Sequence, residues 1–512
     1  MKILFTLLFL FHIILSSSRV IFISNLGNDT PDCGYDYNPC YSIEYANQIC
    51  QMNDIISLTS GIFYLKKTVT LKQGVTLKSN DSNNMATIYP SAVNLEQVGI
   101  KLLTEGYLKD FIISNFQKTA IIVNIENRNQ MNCNLTNLIV SGNKQGISII
   151  SSGVFLHKVL VKNCLIFSNI FNTTGCEGAG LQVRDSVIEL TGNTIEKNKC
   201  EGNGGGVNVY DSQVYGDANS ITNNYANFGG GLFGEMSQLY LSRLILENNN
   251  AMIDGGGLHT SSCETYLDLN GSISNNLAFG NGGGIWTYMG WTNATIVAFA
   301  FNKASNGGAI YATQATLWTN VTTWESNLAS NGSGGAMALF SCTVMLNNTM
   351  TTHGEASLEG GAMYLFDCTT ILWNISFVMN TAAGGGAVSV SEGTTIMWNS
   401  TVTYNIATSL RGGAFQVNGS SWIAYSTVIH DNRAAHVNDG AAFYLDVSTL
   451  VATNVTFINN IIDSTQKEED VVCYDSSTNC YDTHPTIPVI VCLQQCDALI
   501  VYNNTQKVLC HQ

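Results

Sequence analysis

A two-part motif recurs at a nearly constant interval along most of this chain. From residue 178 onward, a group of small residues, Gly or Ala, is followed by an apolar residue eleven times. The motif recurs at positions 180, 206, 231, 257, 284, 309, 336, 362, 387, 414 and 441, each occupied by one of its small residues, so these positions are 25 to 27 residues apart. A repeat of this length indicates a solenoid in which each repeat forms one coil.

The second part of the motif is an apolar residue followed three positions later by Asn. Asn tolerates a left-handed backbone turn, and stacked Asn amides can hydrogen-bond from coil to coil. One coil departs from the pattern, because Thr351 and Gly354 take the two places. We expect a ladder along the stack formed by Asn198, Asn224, Asn249, Asn276, Asn302, Asn327, Asn380, Asn405, Asn432 and Asn460.

The residues between the motifs have the pattern of short strands. The stretch from Trp373 to Phe377 alternates apolar and polar residues, as a half-buried strand does. No proline occurs between residues 91 and 484, and proline is excluded from strands that have neighbours on both sides. The sequence therefore predicts an all-β fold, a right-handed parallel β-helix with about 26 residues and three strands per coil. The motif aromatics Phe299, Trp324, Phe377 and Phe457 should point into its core.

The irregular ends suggest four segments. Residues 1–18 have the charged start, apolar centre and small-residue end of a secretory signal peptide, although an uncleaved anchor is the alternative. Residues 19–53 should form an N-terminal cap with a disulfide loop and a short capping helix at Tyr41–Gln51. The β-helix should occupy residues 54–465, with the regular repeats at 178–462. Residues 466–512, which contain cysteines, should form a C-terminal cap or tail.

The charge balance limits the possible partners. The chain has 22 Lys and Arg against 37 Asp and Glu, a net charge of −15. This charge argues against nucleic acid or an anionic membrane as a partner. No later segment is apolar enough for a transmembrane helix, so we expect no transmembrane segment after the signal peptide.

Sequons are frequent, as expected for an exported glycoprotein. Four of them, at Asn270, Asn374, Asn399 and Asn454, lie six residues before a ladder Asn and should point outward from one face. The full set consists of Asn28, Asn80, Asn134, Asn172, Asn270, Asn293, Asn320, Asn331, Asn347, Asn374, Asn399, Asn418, Asn454 and Asn503.

The fifteen cysteines of an exported chain indicate disulfides. Cys33 and Cys40 are close in sequence and should form a bridge. Cys176 and Cys200 could join neighbouring coils. Cys342 and Cys368 have the same offset from the motif in adjacent coils, so we expect them to lie within disulfide range.

Catalytic residues are hard to find in the repeat. Polysaccharide-cleaving enzymes need converging acidic and basic side chains, and the acidic residues here are few and scattered. One polar cluster, at a turn, is either a weak catalytic candidate or a solvated turn; it comprises His430, Asp431, Arg433, His436 and Asp439. No metal-ligand spacing and no cofactor motif is present, so we expect neither a metal nor a cofactor.

The paired motifs resemble the repeat of the polymorphic outer-membrane proteins, a family of surface adhesins. The resemblance covers residues 178–462 and rests on motifs such as Gly412-Gly413-Ala414-Phe415, linked in phase with the apolar-x-x-Asn step. It implies a parallel β-helix with a surface or matrix role. The membrane domain that follows the repeats in that family has no counterpart here, so the bacterial mode of surface attachment is not expected.

The first 80 residues or so resemble secreted β-helix proteins of the pectin-lyase-like superfamily. The resemblance rests on the stretch from Asn25 to Thr30, on Cys33 and Pro39-Cys40, and on Asp54, Gly61 and Tyr64. It supports the same fold and a secreted location.

Three functions remain open on the sequence. The first is a secreted, glycosylated, non-enzymatic surface or extracellular-matrix protein for adhesion or carbohydrate binding, with an extracellular carbohydrate or a cell-surface protein as partner. The second is a polysaccharide lyase or glycoside hydrolase with a diverged site. The third is a purely structural rod. The sequence favours a non-enzymatic protein, but it leaves the enzyme alternative open.

Overall fold

The computed structural model describes residues 18–92, 97–125, 132–151, 158–474, 476–482, 490–494, 497–502 and 505–511. Residues 1–17 of the predicted signal peptide and the sequon at Asn503 lie outside the described residues. The chain is a parallel β-solenoid of about 15 turns with about 26 residues per turn, which confirms the predicted fold and period. Contacts divide it into two compact units, one of Met1–Asn172 and Gly178–Lys199 and one of Thr173–Glu177 and Cys200–Gln512.

A short helix lies near the start of the first unit. It spans Ile43–Ile49, inside the predicted range. The Ser42 hydroxyl accepts a hydrogen bond from the backbone N–H of the third helical residue, so Ser42 is the N-cap. Ile43 and Ala46 are buried, and the helix contacts the first strands of the unit.

A coil contains up to four short strands, where the sequence predicted three, and equivalent strands stack as columns 1 to 4. In the first unit, column 1 consists of Val69–Leu71, Ile100–Leu102, Thr119–Ile125, Gln145–Ser151 and Leu181–Arg184. Column 2 consists of Val20–Ile23, Ile55–Leu58, Thr76–Ser79, Gly106–Lys109, Asn132–Thr136, Lys158–Lys162 and Val187–Thr191. Column 3 consists of Ile62–Leu65, Ala86–Pro90, Phe111–Ser114, Ile139–Ser141, Leu165–Phe167 and Thr194–Glu196. Column 4 contains Ile170–Phe171. In the strand Lys199–Cys200, Lys199 is the last residue of the first unit and Cys200 belongs to the second unit.

The second unit repeats the same four columns with greater regularity. Column 1 consists of Val207–Tyr210, Leu232–Glu235, Leu258–Ser261, Ile285–Tyr288, Ile310–Thr313, Met337–Phe340, Met363–Phe366, Val388–Ser391, Phe415–Asn418, Phe443–Asp446, Val471–Tyr474 and Ile490–Gln494. Column 4 consists of Tyr225–Phe228, Asn250–Asp254, Leu277–Ala278, Lys303–Ala304, Leu328–Ala329, Glu355–Ala356, Thr381–Ala382, Ile406–Ala407, Arg433–Ala434 and Ile461–Ile462, with Lys467–Glu468 antiparallel at its end.

Columns 2 and 3 of the second unit are separated by a turn in most coils. Column 2 consists of Gln213–Asp217, Gln238–Ser242, Glu264–Asp268, Trp291–Thr295, Thr316–Asn320, Thr394–Trp398, Ser421–Tyr425, Thr449–Thr453, Ser477–Asp482 and Asp497–Tyr502. Column 3 consists of Ser220–Thr222, Ile245–Glu247, Gly271–Ser274, Val297–Ala300, Thr323–Glu325, Thr401–Thr403, Val428–His430 and Thr456–Ile458. Two strands run through both columns, Thr343–Thr352 and Thr369–Val378.

Side chains alternate between the core and the outer surface along each strand. In one column 1 strand, Leu258 and Thr260 are buried inside, so His259 between them faces outward. The inward side chains of successive coils stack, and the rings of Phe299 and Trp324 lie 4.0 Å apart between centroids. All four predicted core aromatics are buried, at 6% exposure or less.

The small residues of the motif are required by a close approach between coils. A Cβ atom on Gly256 would lie 2.4 Å from the carbonyl oxygen of Gly283 in the next coil. Only Gly avoids this clash, since the neighbouring backbone cannot move away. The preceding Gly255 has a φ of +69°, which also favours Gly.

The parallel pairing continues past residue 465, where the sequence predicted the β-helix to end. Val471–Tyr474 pairs with Phe443–Asp446 in column 1, and Ser477–Asp482 pairs with Thr449–Thr453 in column 2. The strand Thr505–His511 then pairs antiparallel with Asp497–Tyr502. The C-terminal segment is therefore partly a continuation of the coils, because its strands meet the hydrogen-bonding edge of the preceding coil.

Candidate functional site

The predicted polar cluster does not converge on one point. The His430 Nδ1 atom lies 2.7 Å from the Asp431 Oδ2 atom, a contact between neighbours in sequence. Arg433 instead reaches Asp463, with 3.4 Å between Nη1 and Oδ1. His430 ends a column 3 strand and Arg433 begins the next column 4 strand, so the turn between the strands separates their side chains.

The other two members of that cluster lie in the loop after column 4. The His436 backbone N–H donates to the Asp439 carboxylate at 3.0 Å, and the His436 side chain is exposed. The hydrogen bond from His430 lowers the pKa of Asp431, whereas burial raises the pKa of Asp439. The five residues thus form three separate local contacts rather than one catalytic group.

The ladder asparagines hydrogen-bond from coil to coil inside the second unit. The Asn276 Nδ2 atom donates to Asn302 Oδ1 at 3.1 Å, and Asn302 Nδ2 donates to Asn327 Oδ1 at the same distance. The ladder asparagines are buried at 1% exposure or less. Equivalent side-chain bonds join Asn224 to Asn249, Asn249 to Asn276, Asn380 to Asn405, Asn405 to Asn432 and Asn432 to Asn460.

The ladder has an interruption and an end. Gly354 stands where Asn would follow Asn327, and its N–H donates to Asn380 Oδ1 at 2.9 Å. At the far end, Asn460 Nδ2 donates to the buried Asp470 carboxylate at 2.9 Å. Asp470 therefore supplies the acceptor that a further Asn would provide.

A shorter ladder occupies the first unit and includes Asn198. Asn143 donates to Asn169, and Asn169 donates to Asn198, at 3.0 and 2.9 Å. The step from Leu160 to Asn163 also matches the motif, but Asn163 lies exposed in an outer turn with a φ of +53°. Asn169, six residues later, takes the ladder position of that coil.

Two of the three predicted disulfides are confirmed. Cys33 is bonded to Cys40 in the first unit, and Cys176 is bonded to Cys200 in the second. The prediction for Cys342 and Cys368 is wrong, because both are free thiols. Their Sγ atoms donate instead to backbone carbonyls, and the Cys342 N–H donates to the Cys368 Sγ atom at 3.4 Å.

The sequon asparagines in the described residues lie on the surface or at its edge. The four with a shared register, Asn270, Asn374, Asn399 and Asn454, are exposed, and all have φ between +48° and +66° at the junction of columns 2 and 3. The exposed others are Asn28, Asn80, Asn172 and Asn331. The half-buried ones are Asn134, Asn293, Asn320, Asn347 and Asn418.

One group of side chains near the N-terminus has donor atoms close enough together for a metal ion. It consists of Asp29, Cys33 and Cys40. The two cysteines are joined to each other, and the Asp29 carboxylate already accepts from the N–H groups of Tyr41 and Ser42. This geometry is that of a capped turn, since the sulfur atoms are not available as thiolate ligands.

A row of rings lies on the outer face of column 1 in the second unit. The His259 ring is stacked between Phe233 and Trp286, with centroid distances of 4.9 and 4.1 Å. Phe228, the last residue of the column 4 strand Tyr225–Phe228, meets the same ring edge-on at 5.4 Å. This packing excludes water, so burial lowers the pKa of His259 to about 3 and the imidazole is neutral.

The row continues into a cluster that is partly open to solvent, called here the aromatic cluster. Phe340 is central, with its ring 5.2 Å from Tyr311, 5.7 Å from Tyr364 and 6.3 Å from Phe366. Trp286 and Tyr288 form its other end, with centroids 6.2 Å apart. The six side chains are all half-buried: Trp286, Tyr288, Tyr311, Phe340, Tyr364 and Phe366.

Carboxylates border the aromatic cluster on the side of the loops after column 4. Asp254 Oδ1 accepts from the Asn281 N–H at 2.6 Å, and burial raises the pKa of Asp254. Glu359 accepts from the Ser389 hydroxyl at 3.0 Å and from the Gln416 amide at 3.3 Å. Four coils separate the two carboxylates, which corresponds to about 19 Å at ~4.8 Å per coil.

Sequence reasoning did not find this outer row. The sequence does contain a signal for it, because each ring of the row directly follows the first apolar residue of its column 1 strand. Phe233, His259, Trp286, Tyr311 and Tyr364 all stand two residues after the third small residue of their motif. The identity of the residue at this position varies from coil to coil, so a search for repeated residue types passes over it.

The four-column geometry places the chain among parallel β-solenoids. Within that class, residues 120–301 match the family described as "Right handed beta helix region". The fold is therefore a right-handed parallel β-helix, as predicted. No curated protein matches the sequence.

Three solved structures are similar at the level of coil geometry. Pectate lyase Pel9A shares 12% identity with a TM-score of 0.31 over 66% of this chain and 78% of its own. The GH136 lacto-N-biosidase from Eubacterium ramulus shares 12% identity, with a TM-score of 0.26 over 86% and 68%. The GH87 alpha-1,3-glucanase from Streptomyces thermodiastaticus strain HF3-3 shares 11%, with a TM-score of 0.25 over 78% and 63%. Such low scores carry no information about activity.

In the part of the chain that the structure describes, no helix has the length and apolar character needed to cross a membrane.

Proposed function

We propose that this protein is a secreted, glycosylated, non-enzymatic surface or extracellular-matrix protein that binds carbohydrate on the outer face of column 1 in the second unit. The observation that carries the proposal is the aromatic cluster. Rings from four successive coils meet there, between Trp286 and Phe366, and remain partly open to solvent.

Aromatic rings combined with a few fixed polar groups are typical of small-molecule and sugar sites. Tyr and Trp supply a rigid apolar surface together with a polar atom, so they can contact both the CH groups and the hydroxyls of a sugar. In the aromatic cluster Tyr311 and Tyr364 provide both. The carboxylate of Glu359 is held by Ser389 and Gln416 and can accept from a sugar hydroxyl.

The charge of this region favours a neutral sugar. Asp254 and Glu359 border the aromatic cluster, and the whole chain carries a net charge of −15. An acidic polysaccharide would be repelled by both. We therefore infer a neutral oligosaccharide or polysaccharide as the ligand class.

The spacing of the carboxylates favours binding over cleavage. Glycosidases that use two carboxylates hold them about 5 to 9.5 Å apart. Asp254 and Glu359 are about 19 Å apart at the coil spacing. A lyase or glycoside hydrolase with a diverged site is the alternative function, with the raised pKa of Asp254 as the observation in its favour.

The proposed location rests on several independent features of the sequence. Residues 1–18 have the pattern of a signal peptide, and sequons occupy surface positions along both units. The disulfides at Cys33–Cys40 and Cys176–Cys200 are of the kind that persists outside the cytosol.

The test is calorimetric titration of the secreted protein against neutral and acidic oligosaccharides, with mass spectrometry of the mixtures for released fragments. Tyr364→Ala and Tyr311→Ala should each weaken binding of a neutral ligand about tenfold, which is about 1.4 kcal/mol. Tyr215→Ala, an exposed tyrosine of column 2, is the matched control and should bind normally.

Each other outcome selects a different function. Binding that survives both tyrosine substitutions would remove the aromatic cluster as the site. Fragment release that is lost in Asp254→Asn would make the protein an enzyme. No binding to any sugar in the panel would leave the structural rod.

A further inference from the structure

The outer face of column 2 in the second unit exposes large apolar side chains, and is called here the column 2 face. The side chains on it, which carry aromatic rings or a thioether, are 37% to 47% exposed. Exposed apolar patches commonly mark a surface that another molecule covers. The exposed members are Tyr215, Trp291, Trp318, Met345 and Trp373.

The strand register places sequon asparagines directly beside two of these indoles. Asn293 pairs with Trp318 of the next coil, and Asn347 pairs with Trp373. Asn320 pairs with Asn347 between them. Residues that pair in this way point to the same side and lie about 4.8 Å apart, so these asparagines belong to the column 2 face.

The hydrogen bonding of these asparagines differs from that of the ladder asparagines. Asn302 donates its Nδ2 hydrogens to two partners inside the core. At Asn293, the amide oxygen accepts from the Thr295 hydroxyl at 3.3 Å, and within the described residues its Nδ2 makes no hydrogen bond. Asn320 likewise uses its oxygen, which accepts from Asn348 at 3.3 Å.

We propose that N-linked glycans on Asn293, Asn320 and Asn347 cover the column 2 face, with their first sugars packed on Trp318 and Trp373. In the transfer step, the Asn nitrogen bonds to the anomeric carbon of a lipid-diphosphate-linked oligosaccharide and loses a proton. The bond from that carbon to the diphosphate breaks, and the lipid diphosphate leaves with the electron pair. This inference rests on the proposed secretion of the protein.

A glycan fits this face better than a protein partner does. Each of the three asparagines is within one coil of an exposed indole or of another sequon, so any attached sugar would occupy the space above the rings. Sugar rings have apolar CH faces that can cover an indole while their hydroxyls remain in water. A protein partner would need the same surface free of sugars.

The test uses the protein secreted from a eukaryotic host. Glycopeptide mass spectrometry should find sugars at Asn293, Asn320 and Asn347. A triple variant with Gln at these three positions should show stronger acrylamide quenching of tryptophan emission, together with a shift of emission to longer wavelength. The matched control carries Gln at Asn80, Asn134 and Asn172, three sequons of the first unit, and should leave the emission unchanged.

Failure of this inference can be told apart from failure of the proposed function. A glycan at Asn80 with none at Asn293, Asn320 and Asn347 would contradict this inference alone. Unchanged quenching in the first triple variant would contradict the packing on Trp318 and Trp373. If the secreted chain carries no glycan at any site, the proposed glycosylated state is wrong as well. Sugar binding at the aromatic cluster is measured separately, so that part of the proposed function is tested independently.

Discussion

The imidazole of His259 lies 4.1 Å from the indole of Trp286, between ring centroids, with the two planes 12° apart. The other side of the imidazole meets Phe233, and the Nδ1 atom is buried with no hydrogen-bond partner among the residues that the structure describes. A histidine in this position is held as a neutral ring and acts as an aromatic residue.

This burial makes the stability of the protein depend on pH. The pKa of His259 is about 3 in the folded state and 6.5 in the unfolded state, so below pH 6.5 only the unfolded chain takes up the proton. The free energy of unfolding should therefore fall as the pH drops from 6.5 toward 3. At pH 5 the loss from this group should be about 2 kcal/mol, at ~1.36 kcal/mol per pH unit.

Urea denaturation at pH 7.5 and pH 5.0 measures that loss. His259→Phe keeps a stacked ring but cannot be protonated, so its loss of stability between the two pH values should be about 2 kcal/mol smaller than that of the wild type. His436→Gln, at an exposed histidine, is the control. Equal pH dependence in wild type and His259→Phe would show that His259 is not held neutral.

Removing one ladder amide should destabilise the second unit strongly. In Asn302→Ala, the buried N–H and Nδ2 groups of Asn276 lose their acceptor, and the carbonyl of Ile273 loses a donor. Unsatisfied buried groups cost about 1 to 3 kcal/mol each, so a loss of about 3 kcal/mol or more is expected. Chemical denaturation measures it. Thr316→Ala, on the exposed side of column 2, should stay within about 0.5 kcal/mol of the wild type.

The glycine at the ladder interruption should not tolerate a side chain, although other coils carry Asn in its place. A Cβ on Gly354 would lie 2.4 Å from the carbonyl oxygen of Gly361. Gly354→Ala should therefore lower the free energy of unfolding by about 1 to 3 kcal/mol. Gly175→Ala is the matched control, since a Cβ there meets nothing within 4 Å. Equal melting temperatures for the two variants would contradict the close approach at Gly354.

The free thiols in the described part of the second unit should be slow to react while the protein is folded. Cys263, Cys342 and Cys368 are buried, and burial raises the pKa of Cys263 to about 11. The thiolate is the reactive form, so little of it is present in Cys263 at neutral pH. Iodoacetamide labelling followed by mass spectrometry should modify these cysteines only after unfolding. If Cys342 and Cys368 remain unlabelled in the folded protein and also in protein that is unfolded without reductant, the two residues are joined by a disulfide.

The sequence predicts the interior of this fold well because the interior repeats. Phe299 and Asn302 are constrained by the coils above and below, so equivalent positions carry similar residues and the period is visible. The outer row is not constrained in this way. His259 and Trp286 share a position but not a residue type, which hides the aromatic cluster from any search for repeated identities.

Nearness in sequence was a poor guide to nearness in space. His430 and Arg433 are three residues apart, but the turn between columns 3 and 4 sends them to different partners. Cys342 and Cys368 share a position in adjacent coils and are nevertheless free thiols, whose Sγ atoms donate to the carbonyls of Phe340 and Leu339. These outcomes depend on the direction in which each side chain points, and the repeat pattern does not predict that direction.

The gap at Gly354 has a mechanical consequence for the second unit. Asn327 has no side-chain acceptor in the coil that follows, so the two ladder segments are joined at this level by backbone bonds such as that from the Glu355 N–H to the Asn327 carbonyl. Neighbouring amides polarise one another only within a segment. A pull along the stack should therefore meet less resistance between these two coils than at a step with an Asn–Asn bond, and we expect separation there to leave two blocks that each keep their own ladder.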